Sequence, residues 1–490
     1  MKRMAKRRIV ILFVAAIFVV GSYLFSPWSD LGDTAQPQTP KYIFIFLADG
    51  AGVAHLETTR MYNQVVHNEG LTTTDKIMKE GSVGLMTTHP ADSLTTDSAA
   101  AATAMATGCK AKVGSIGSCA NGTMPKTVLE VAKENGLRVG LVTNSTIYDA
   151  SPAAFAGHVP DRKLYATIVD QYLKLEPDLL FGGGRDYFLP KNQAGSKRKD
   201  DNDLIAAFKK KGYAYAADKR ELAAVKGPKV LGLFSLQEMS FELDRDKEKE
   251  PSVSEMTQAA IRILEEGNRR GFLVFIENEN TDSGSHLTDV ASVIHAYRDF
   301  DRAVALAYEF YRKHPRETLI LVTSDHDTGG PGFTLALEEA SGRQAKRMIA
   351  TEKDLKKIHS IPISLKKAAD ILGRNPTSES IDQLMQNYFK GFTLAPDLKK
   401  MLLDHHIPGR NIYTDPIANC LGLMIANNTQ MYWHSTGHTN QPVFVAALGV
   451  GADKFRGYQD NTDFGKHLMA LVRDDNSGRL GTNPGKPSNL

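Results

Sequence analysis

Cysteine is scarce in this sequence, with three residues among 490 and no CxxC or other zinc-knuckle spacing. Three thiols are too few for a disulfide scaffold, and their spacing excludes the usual cysteine zinc sites. Any bound metal ion would therefore be held by histidines and carboxylates. Cys109 and Cys119 lie ten residues apart, so a local disulfide and two free thiols both remain open, while Cys420 would be unpaired.

An excess of charge of one sign is also missing. The 59 Lys and Arg residues nearly balance the 56 Asp and Glu residues, and a concentrated basic segment occurs only at the extreme N-terminus. This distribution predicts no nucleic-acid partner. With 42% hydrophobic and 23% charged residues, the chain has the composition of a folded globular protein.

One long apolar run without charge is present at residues 9–25, after the basic segment MKRMAKRR. As a helix it would span about 26 Å, close to the lower limit for crossing a bilayer. A membrane anchor and a cleavable signal peptide both fit residues 1–25. Because the following FSPWSD offers no small-residue cleavage site, we favour an anchor that tethers a periplasmic or otherwise extracytoplasmic protein to the membrane, with cleavage and secretion as the alternative.

After a polar linker at 26–39, strand-like and helix-like patterns alternate along the chain. This alternation predicts an α/β fold, a three-layer sandwich with a central, mostly parallel sheet flanked by helices. In one interval, Thr123, Pro125 and Gly136 predict the start and end of a helix that contains VLEVAKEN. The apolar runs that predict strands are 41–48, 138–143, 178–182, 272–276, 318–323 and 443–449.

Two long segments interrupt this pattern. Residues 184–250 are rich in Lys, Asp, Gly and Pro and predict a solvent-exposed excursion. Residues 335–432 are longer than one connection needs and contain helical patterns, which predicts a helical insertion. The folded domain is expected to cover 40–476 and to be followed by a flexible tail at 477–490.

Polar residues follow the predicted strands at the positions where open α/β sheets bind ligands. Asp49 follows the first strand, and Glu277 ends the strand at 272–276. If a helix begins near Ser283, Asp282 lies at its N-terminal edge and His286 about one turn further, so that both side chains can reach one ion. Carboxylates and imidazoles of this kind are ligands for Mg²⁺ and Zn²⁺.

Other candidate residues stand at similar positions. Asp325 and His326 are adjacent at another strand end, where packing gives no reason for them, and His434 and His438 precede the last strand. Ser98 lies at the start of an Ala-rich helix, where free N–H groups favour an anion, although a serine there can simply cap the helix. Arg162 is either a surface charge or a fork for phosphate oxygens.

Six segments together, in this order, resemble the motifs of alkaline phosphatases, and the resemblance covers roughly residues 41–470. They are DG at 49–50, TTDSAAAATA around Ser98, DASPAAFAGHVPDR at 149–162, ENENTDSGSH at 277–286, SDH at 324–326 and TGHT around His438.

The resemblance implies a catalytic domain with two Zn²⁺ ions and one Mg²⁺ ion. Its ligand sets would be Asp282, His286 and His438 for the first zinc, Asp49, Asp325 and His326 for the second zinc, and Asp49, Asp149, Ser151 and Glu277 for the magnesium. Ser151 stands where many relatives carry threonine, whose hydroxyl is an equivalent ligand.

The resemblance also implies the reaction. Ser98 would attack the phosphorus of a phosphate monoester to give a phosphoserine, and Arg162 would hold two phosphate oxygens. Water would then release inorganic phosphate, which is both a product and an inhibitor in such enzymes. Many members of the family are homodimers, so a dimer is one expected state.

The sequence leaves two alternative functions. Phosphodiesterases and sulfatases share the two-metal core, but no CxPxR-type motif surrounds Ser98, and Glu277, Asp149 and Arg162 together favour a monoesterase. A surface protein that has lost catalysis is a minor alternative, because no expected nucleophile or ligand is missing.

Overall fold

The computed structural model of the chain describes residues 39–338, 346–404 and 415–473. The predicted anchor or signal peptide at 1–25, nearly all of the linker and the predicted tail at 477–490 lie outside these residues. Within the described part, no helix is both long and apolar enough to cross a bilayer.

Sixteen strands lie in the described residues, and ten of them form one sheet. The strands are β1 (Tyr42–Ala48), β2 (Ser82–Met86), β3 (Arg138–Thr146), β4 (Leu179–Gly183), β5 (Ala214–Ala216), β6 (Val230–Leu233), β7 (Phe272–Asn278), β8 (Thr318–Thr323), β9 (Asp327–Thr328), β10 (Pro331–Phe333), β11 (Leu335–Glu338), β12 (Lys346–Ile349), β13 (Met431–Trp433), β14 (His438–Thr439), β15 (Val443–Gly449) and β16 (Gly457–Gln459).

The large sheet has the order β16-β2-β15-β8-β1-β7-β3-β4-β6-β5. Strand β15 is antiparallel to both neighbours, β2 and β8, and every other pair in the sheet is parallel. Strands β1, β7 and β8 are buried along their whole length, which explains why each reads as a continuous apolar run. The predicted mostly parallel sheet is confirmed.

Sixteen α-helices occupy the described residues, with π-helical turns at Asn63–His67 and Thr73–Met78 and 3₁₀ turns at Arg185–Tyr187 and Ala452–Phe455. The helices are α1 (Val53–Tyr62), α2 (Ser98–Thr107), α3 (Val128–Glu134), α4 (Ala150–Ala156), α5 (Tyr165–Leu175), α6 (Leu204–Lys210), α7 (Lys219–Ala224), α8 (Val253–Glu265), α9 (Asn280–His286), α10 (Val290–Lys313), α11 (Glu352–His359), α12 (Leu365–Leu372), α13 (Ser378–Tyr388), α14 (Pro396–Asp404), α15 (Pro416–Thr429) and α16 (Asn461–Val472).

The two faces of the sheet carry separate hydrophobic cores. Along β1, Ile43 and Ile45 pack into the core that holds α2 to α5 and α16, whereas Phe44 and Phe46 pack into the core that holds α8 and α10. This alternation follows from the two-residue repeat of a strand. Helices on both faces of one sheet give the predicted three-layer α/β architecture, which is confirmed.

The segment 335–432 contains helices α11 to α15, which share a third core with the start of α10. Within it, Leu365 and Leu421 are fully buried. The predicted helical insertion is therefore present. It packs beside the carboxyl ends of the central strands through α10, which follows directly after the site-bearing helix α9.

Two local predictions differ from the structure. The cap of α3 is Thr127 and not Thr123, because the Thr127 side chain accepts from the Glu130 N–H and the Glu130 side chain accepts from the Thr127 N–H. The prediction of a solvent-exposed excursion at 184–250 is only partly correct, because this segment supplies β5 and β6 to the edge of the large sheet.

Cys109 and Cys119 form a disulfide in the structure, and Cys420 is a buried free thiol. Because the bond closes a loop of about ten residues, the double variant Cys109→Ser/Cys119→Ser is expected to lose about 2–3 kcal/mol of unfolding free energy. Urea unfolding followed by circular dichroism measures this loss. Wild type in reductant should match the double variant, and equal midpoints with and without reductant would contradict the expectation.

Candidate active site

The candidate residues meet at the carboxyl edge of the central strands. Strands β8, β1, β7 and β3 are neighbours in the sheet, so the residues that follow them lie side by side. Asp49 follows β1, and Glu277 is the second-last residue of β7. Asp325 follows β8, and Asp149 follows β3. Gly50 has a φ of +67°, and a Cβ there would strike the Asp282 side chain, so only glycine allows β1 to approach α9 so closely.

Ser98 is the first residue of α2 and is only 6% exposed. The cap of this helix is Asp97, whose side chain accepts from the Ala100 N–H at 3.1 Å, so Ser98 itself is not needed as a cap. The Ser98 hydroxyl lies 3.2 Å from His326 Nε2. A buried hydroxyl at a helix N-terminus beside an imidazole is suited to hold and attack an anionic group.

Asp49, Asp325 and His326 form a buried group whose ligand atoms lie within 4.8 Å of one another. Each carboxylate has one oxygen held by protein donors: Asp49 Oδ2 accepts from Ser151, and Asp325 Oδ1 accepts from the N–H of Gly50. Asp49 Oδ1 and Asp325 Oδ2 are buried and accept no hydrogen bond within the described part of the chain.

These two free oxygens converge on the same nitrogen. They lie 3.5 and 3.2 Å from His326 Nε2. His326 Nδ1 is 3.2 Å from the Thr328 hydroxyl, which already donates to Asp282, so Nδ1 carries the proton and Nε2 presents a lone pair. Lone pairs that face one another in a dry site repel unless a cation lies between them, so this group fits a zinc ion.

Asp282, His286 and His438 form a second group beside His326. The ligand atoms of Asp282, His438 and His326 lie within 4.8 Å of one another, and His286 contacts both Asp282 and His438. His286 Nε2 lies 3.1 Å from Asp282 Oδ2 and 3.1 Å from His438 Nε2, and His438 Nε2 lies 3.8 Å from Asp282 Oδ1. Each imidazole has its Nδ1 at a backbone carbonyl, that of Thr436 for His286 and that of Thr96 for His438. Nδ1 is therefore the donor in both rings, and the two Nε2 lone pairs point at one place, as they do around a bound metal ion.

His434 does not share this position, although the sequence left it equal to His438. Its side chain is exposed, and its backbone N–H bonds to the carbonyl of Gly329. The β14–β9 pairing instead directs His438 toward the site, where its ring stacks on His326 at 3.7 Å between centroids.

The residues assigned to magnesium come together in part. Ser151 donates to Asp49 at 3.1 Å, and Glu277 accepts from Thr143 at 2.5 Å. Asp149, the cap of α4, uses its oxygens for Ser145 and Arg162. Asp149 and Glu277 lie outside the two carboxylate–imidazole groups within 4.8 Å.

Arg162 is held by two carboxylates, one of which belongs to Asp97, the residue before Ser98. Its Nη1 is 3.3 Å from Asp97 and its Nη2 is 3.0 Å from Asp149. Burial alone would lower the pKa of Arg162, but the carboxylates of Asp149 and Asp97 raise it above its ordinary value. The guanidinium is thus held in place beside Asp97, which precedes Ser98. Arg162 is therefore not an unpaired surface charge.

The electrostatics of the site favour cations. Burial, reinforced by Asp325, raises the pKa of Asp49 well above its usual range, and burial together with Asp282 raises the pKa of Asp325 to about 6. Burial and the nearby Asp149 raise the pKa of Glu277 to about 8. Burial raises carboxyl pKa values wherever positive charge is lacking, so divalent ions would reverse these shifts.

The imidazole side of the site shows the complementary pattern. Burial alone would lower the pKa of His286, but Asp282 raises it to about 9. Burial alone would raise the pKa of Asp282, but His286 lowers it well below its usual range. Burial and the neighbouring His438 lower the pKa of His326, so His326 stays neutral and able to bind a metal ion.

Several supporting residues were missed by the sequence reasoning. Thr143 fixes Glu277, Thr328 bridges His326 and Asp282, and Thr281 donates to the Asp49 carbonyl at 2.5 Å. Asp97 and Thr328 stand within two residues of predicted site residues, which is the signal that could have found them. Thr143 has no such signal, because it reaches Glu277 only through the pairing of β3 with β7.

Comparisons with known proteins agree with this geometry. The profile of the alkaline phosphatase family matches residues 40–473. Alkaline phosphatase 4 of Bacillus subtilis (strain 168) is 31% identical over 484 residues, which cover 94% of this chain and 96% of that protein.

Solved structures give the same result. The crystal structure of Thermus thermophilus alkaline phosphatase superposes with a TM-score of 0.78 at 26% identity and covers 91% of this chain and 95% of its own. A cold-active alkaline phosphatase from a psychrophilic Shewanella sp. superposes with a TM-score of 0.71 at 28% identity and covers 88% of this chain and 100% of its own.

Proposed function

Because this chain belongs to the alkaline phosphatase family and is a phosphatase, we propose that it hydrolyses phosphate monoesters through a phosphoserine at Ser98, at a site for two zinc ions and one magnesium ion. One observation carries the proposal. A row of contacting side chains runs from Ser98 through His326 and His438 to His286. The three histidines of this row lie beside the carboxylates of Asp49, Asp325 and Asp282.

The residues fit the metals that the proposal requires. Asp49, Asp325 and His326 would hold one zinc ion, and Asp282, His286 and His438 the other, since each group combines carboxylate oxygens with imidazole nitrogens. The residues proposed for magnesium offer oxygen donors alone, as this hard cation prefers. Its ligands would be Asp49, Asp149, Ser151 and Glu277.

When bound, the ions would neutralise phosphate charge, favour the deprotonated serine and stabilise the departing alkoxide. The side chains hold the reacting groups in position. The Ser98 hydroxyl releases its proton to solvent, and its Oγ attacks phosphorus. The bond from phosphorus to the alcohol oxygen breaks, and the alcohol leaves with a proton from solvent. Water then attacks the phosphoserine, which releases inorganic phosphate and restores the Ser98 hydroxyl. Arg162 binds two non-bridging oxygens throughout, the geometry that a guanidinium matches.

An extracytoplasmic location is also proposed. The supporting observation is the uncharged run at 9–25 after a basic segment, which belongs to the sequence alone.

The proposal is tested on the purified chain with 4-nitrophenyl phosphate and bis(4-nitrophenyl) phosphate at alkaline pH, with zinc and magnesium measured by mass spectrometry on the same sample. We expect a higher kcat/KM for the monoester and about two zinc ions per chain. A preference for the diester would instead support a phosphodiesterase of similar fold, and a metal-free active enzyme would overturn the proposed site.

Arg162→Ala is expected to lower kcat/KM for the monoester by about ten- to a hundredfold, because two charge-assisted hydrogen bonds to phosphate would be lost. The inhibition constant of inorganic phosphate should rise with it. Steady-state kinetics with added phosphate measures both effects. Arg185→Ala is a control, since Arg185 lies in a 3₁₀ turn outside the site. Unchanged phosphate inhibition in Arg162→Ala would show that Arg162 does not bind phosphate.

A further inference from the structure

A cavity of about 500 Å³ opens beside the second carboxylate–imidazole group. Ser283, His286 and Leu287 form one wall, at the end of α9, and the loop between β6 and α8 forms another through Met239 and Phe241. The third wall is α12 of the insertion, which contributes Lys366, Lys367 and Asp370. The cavity therefore joins the reacting centre to the insertion.

Hydrogen bonds fix these walls to one another. Asn280 donates to the backbone carbonyl of Ser240 at 3.0 Å, which ties α9 to the loop. Asp244 accepts from the N–H and the hydroxyl of Ser364 at 3.1 and 2.5 Å, which ties the loop to the start of α12. The cavity is thus built into the fold and does not depend on a closing movement.

Its position relative to Ser98 determines what it could bind. An in-line displacement places the attacking and leaving oxygens on opposite sides of phosphorus. Ser98 lies against His326, while His438 and then His286 continue the row away from Ser98. The leaving oxygen would therefore lie on the His286 side, and His286 is the residue that the row shares with the cavity.

The lining selects among alcohols. Met239 and Leu287 are buried apolar residues, and Phe241 adds a ring that is partly buried. Near the reacting centre, Glu279 Oε1 accepts from Ser283 at 2.5 Å, and no described residue donates to its second oxygen. That oxygen can accept from a hydroxyl group of a ligand.

We propose that this cavity binds the alcohol part of the substrate and favours phosphate monoesters of hydroxylated alcohols that carry an apolar ring. In this assignment, which rests on the proposed phosphatase reaction, hydroxyl groups next to the ester bond to Glu279. The ring packs on Phe241. Met239, Phe241 and Glu279 become residues that determine specificity.

The test compares kcat/KM for adenosine 5′-monophosphate and for methyl phosphate, both followed by release of inorganic phosphate. The proposal places the nucleoside in the cavity, whereas a methyl group is too short to contact Phe241. In Phe241→Ala we expect the ratio of the two values to fall about three- to tenfold, because a ring contact is lost. Phe241→Leu keeps most of the apolar packing and should show a smaller fall of the ratio in the same direction. Because this variant is expected to fold, its result separates loss of the ring contact from a folding defect.

Leu236→Ala is the matched control, since Leu236 belongs to the same loop, is 38% exposed and does not line the cavity. Its ratio should equal that of wild type. An unchanged ratio in both Phe241 variants, with their melting temperatures unchanged, would overturn the subsite. Failure of wild type to release phosphate from either ester would instead overturn the proposed function, so the two failures are distinguishable.

Discussion

Ser98→Ala is expected to lower kcat/KM for 4-nitrophenyl phosphate by at least about a thousandfold, because the proposed reaction passes through a covalent bond to this oxygen. Alanine fits the position, since Ser98 begins an alanine-rich buried helix whose cap is Asp97. The fold should therefore survive. The loss would be in kcat, because Arg162 still binds the phosphate.

Initial rates on freshly purified variants measure this effect, and melting temperatures confirm that folding is unchanged. Ser93→Ala is the matched control, because Ser93 lies on the same loop but is exposed. A second readout is direct: after mixing with substrate and acid quenching, mass spectrometry should find a phosphate on Ser98 in wild type and none in the variant. Robust turnover by Ser98→Ala would show that water attacks the ester without a serine intermediate.

Much of the central sheet could be predicted because its strands are buried on both faces. The runs at β1, β7, β8 and β15 are continuous and apolar, and the observed strands begin within one residue of the predicted ones. Strands β5 and β6 were missed because they have three and four residues and lie in a charged segment. Short edge strands are stabilised by pairing with strands elsewhere in the sequence, which a local sequence pattern does not show.

The candidate site was predictable where residues follow strands. Asp49, Asp325 and His326 stand directly at strand ends, and the structure brings them within 4.8 Å of one another. The α9 helix begins at Asn280 rather than near Ser283, yet Asp282 and His286 stay one turn apart and still meet. A shift of the helix start changes nothing when the spacing between the two ligands is kept.

Tertiary contacts were not predictable from the sequence. The choice between His434 and His438 depends on the pairing of β14 with β9, and the pairing of Arg162 with Asp97 joins residues 65 positions apart. Thr143 orients Glu277 through its hydroxyl group, and hydroxyl side chains occur in most strands and carry no pattern of their own. Such supporting contacts become visible only when the chain is folded.

His438→Ala is expected to remove about one zinc ion per chain and to lower kcat/KM for 4-nitrophenyl phosphate by at least about a hundredfold. The physical reason is the convergence of His438 Nε2 with His286 Nε2 and Asp282 on one point, at 3.1 and 3.8 Å. Removal of one donor of three leaves a weak site, and the buried negative charge of Asp282 then loses its compensation.

Zinc content by mass spectrometry and activity on the same samples measure this result, and His434→Ala is the matched control because His434 is an exposed histidine four residues earlier. The control should keep about two zinc ions and wild-type activity. Chelation of wild type should abolish activity, and added zinc and magnesium should restore it. If His438→Ala kept its zinc while His434→Ala lost it, the ligand would be the other histidine; if chelated protein stayed active, the two carboxylate–imidazole groups would need an explanation without metal ions.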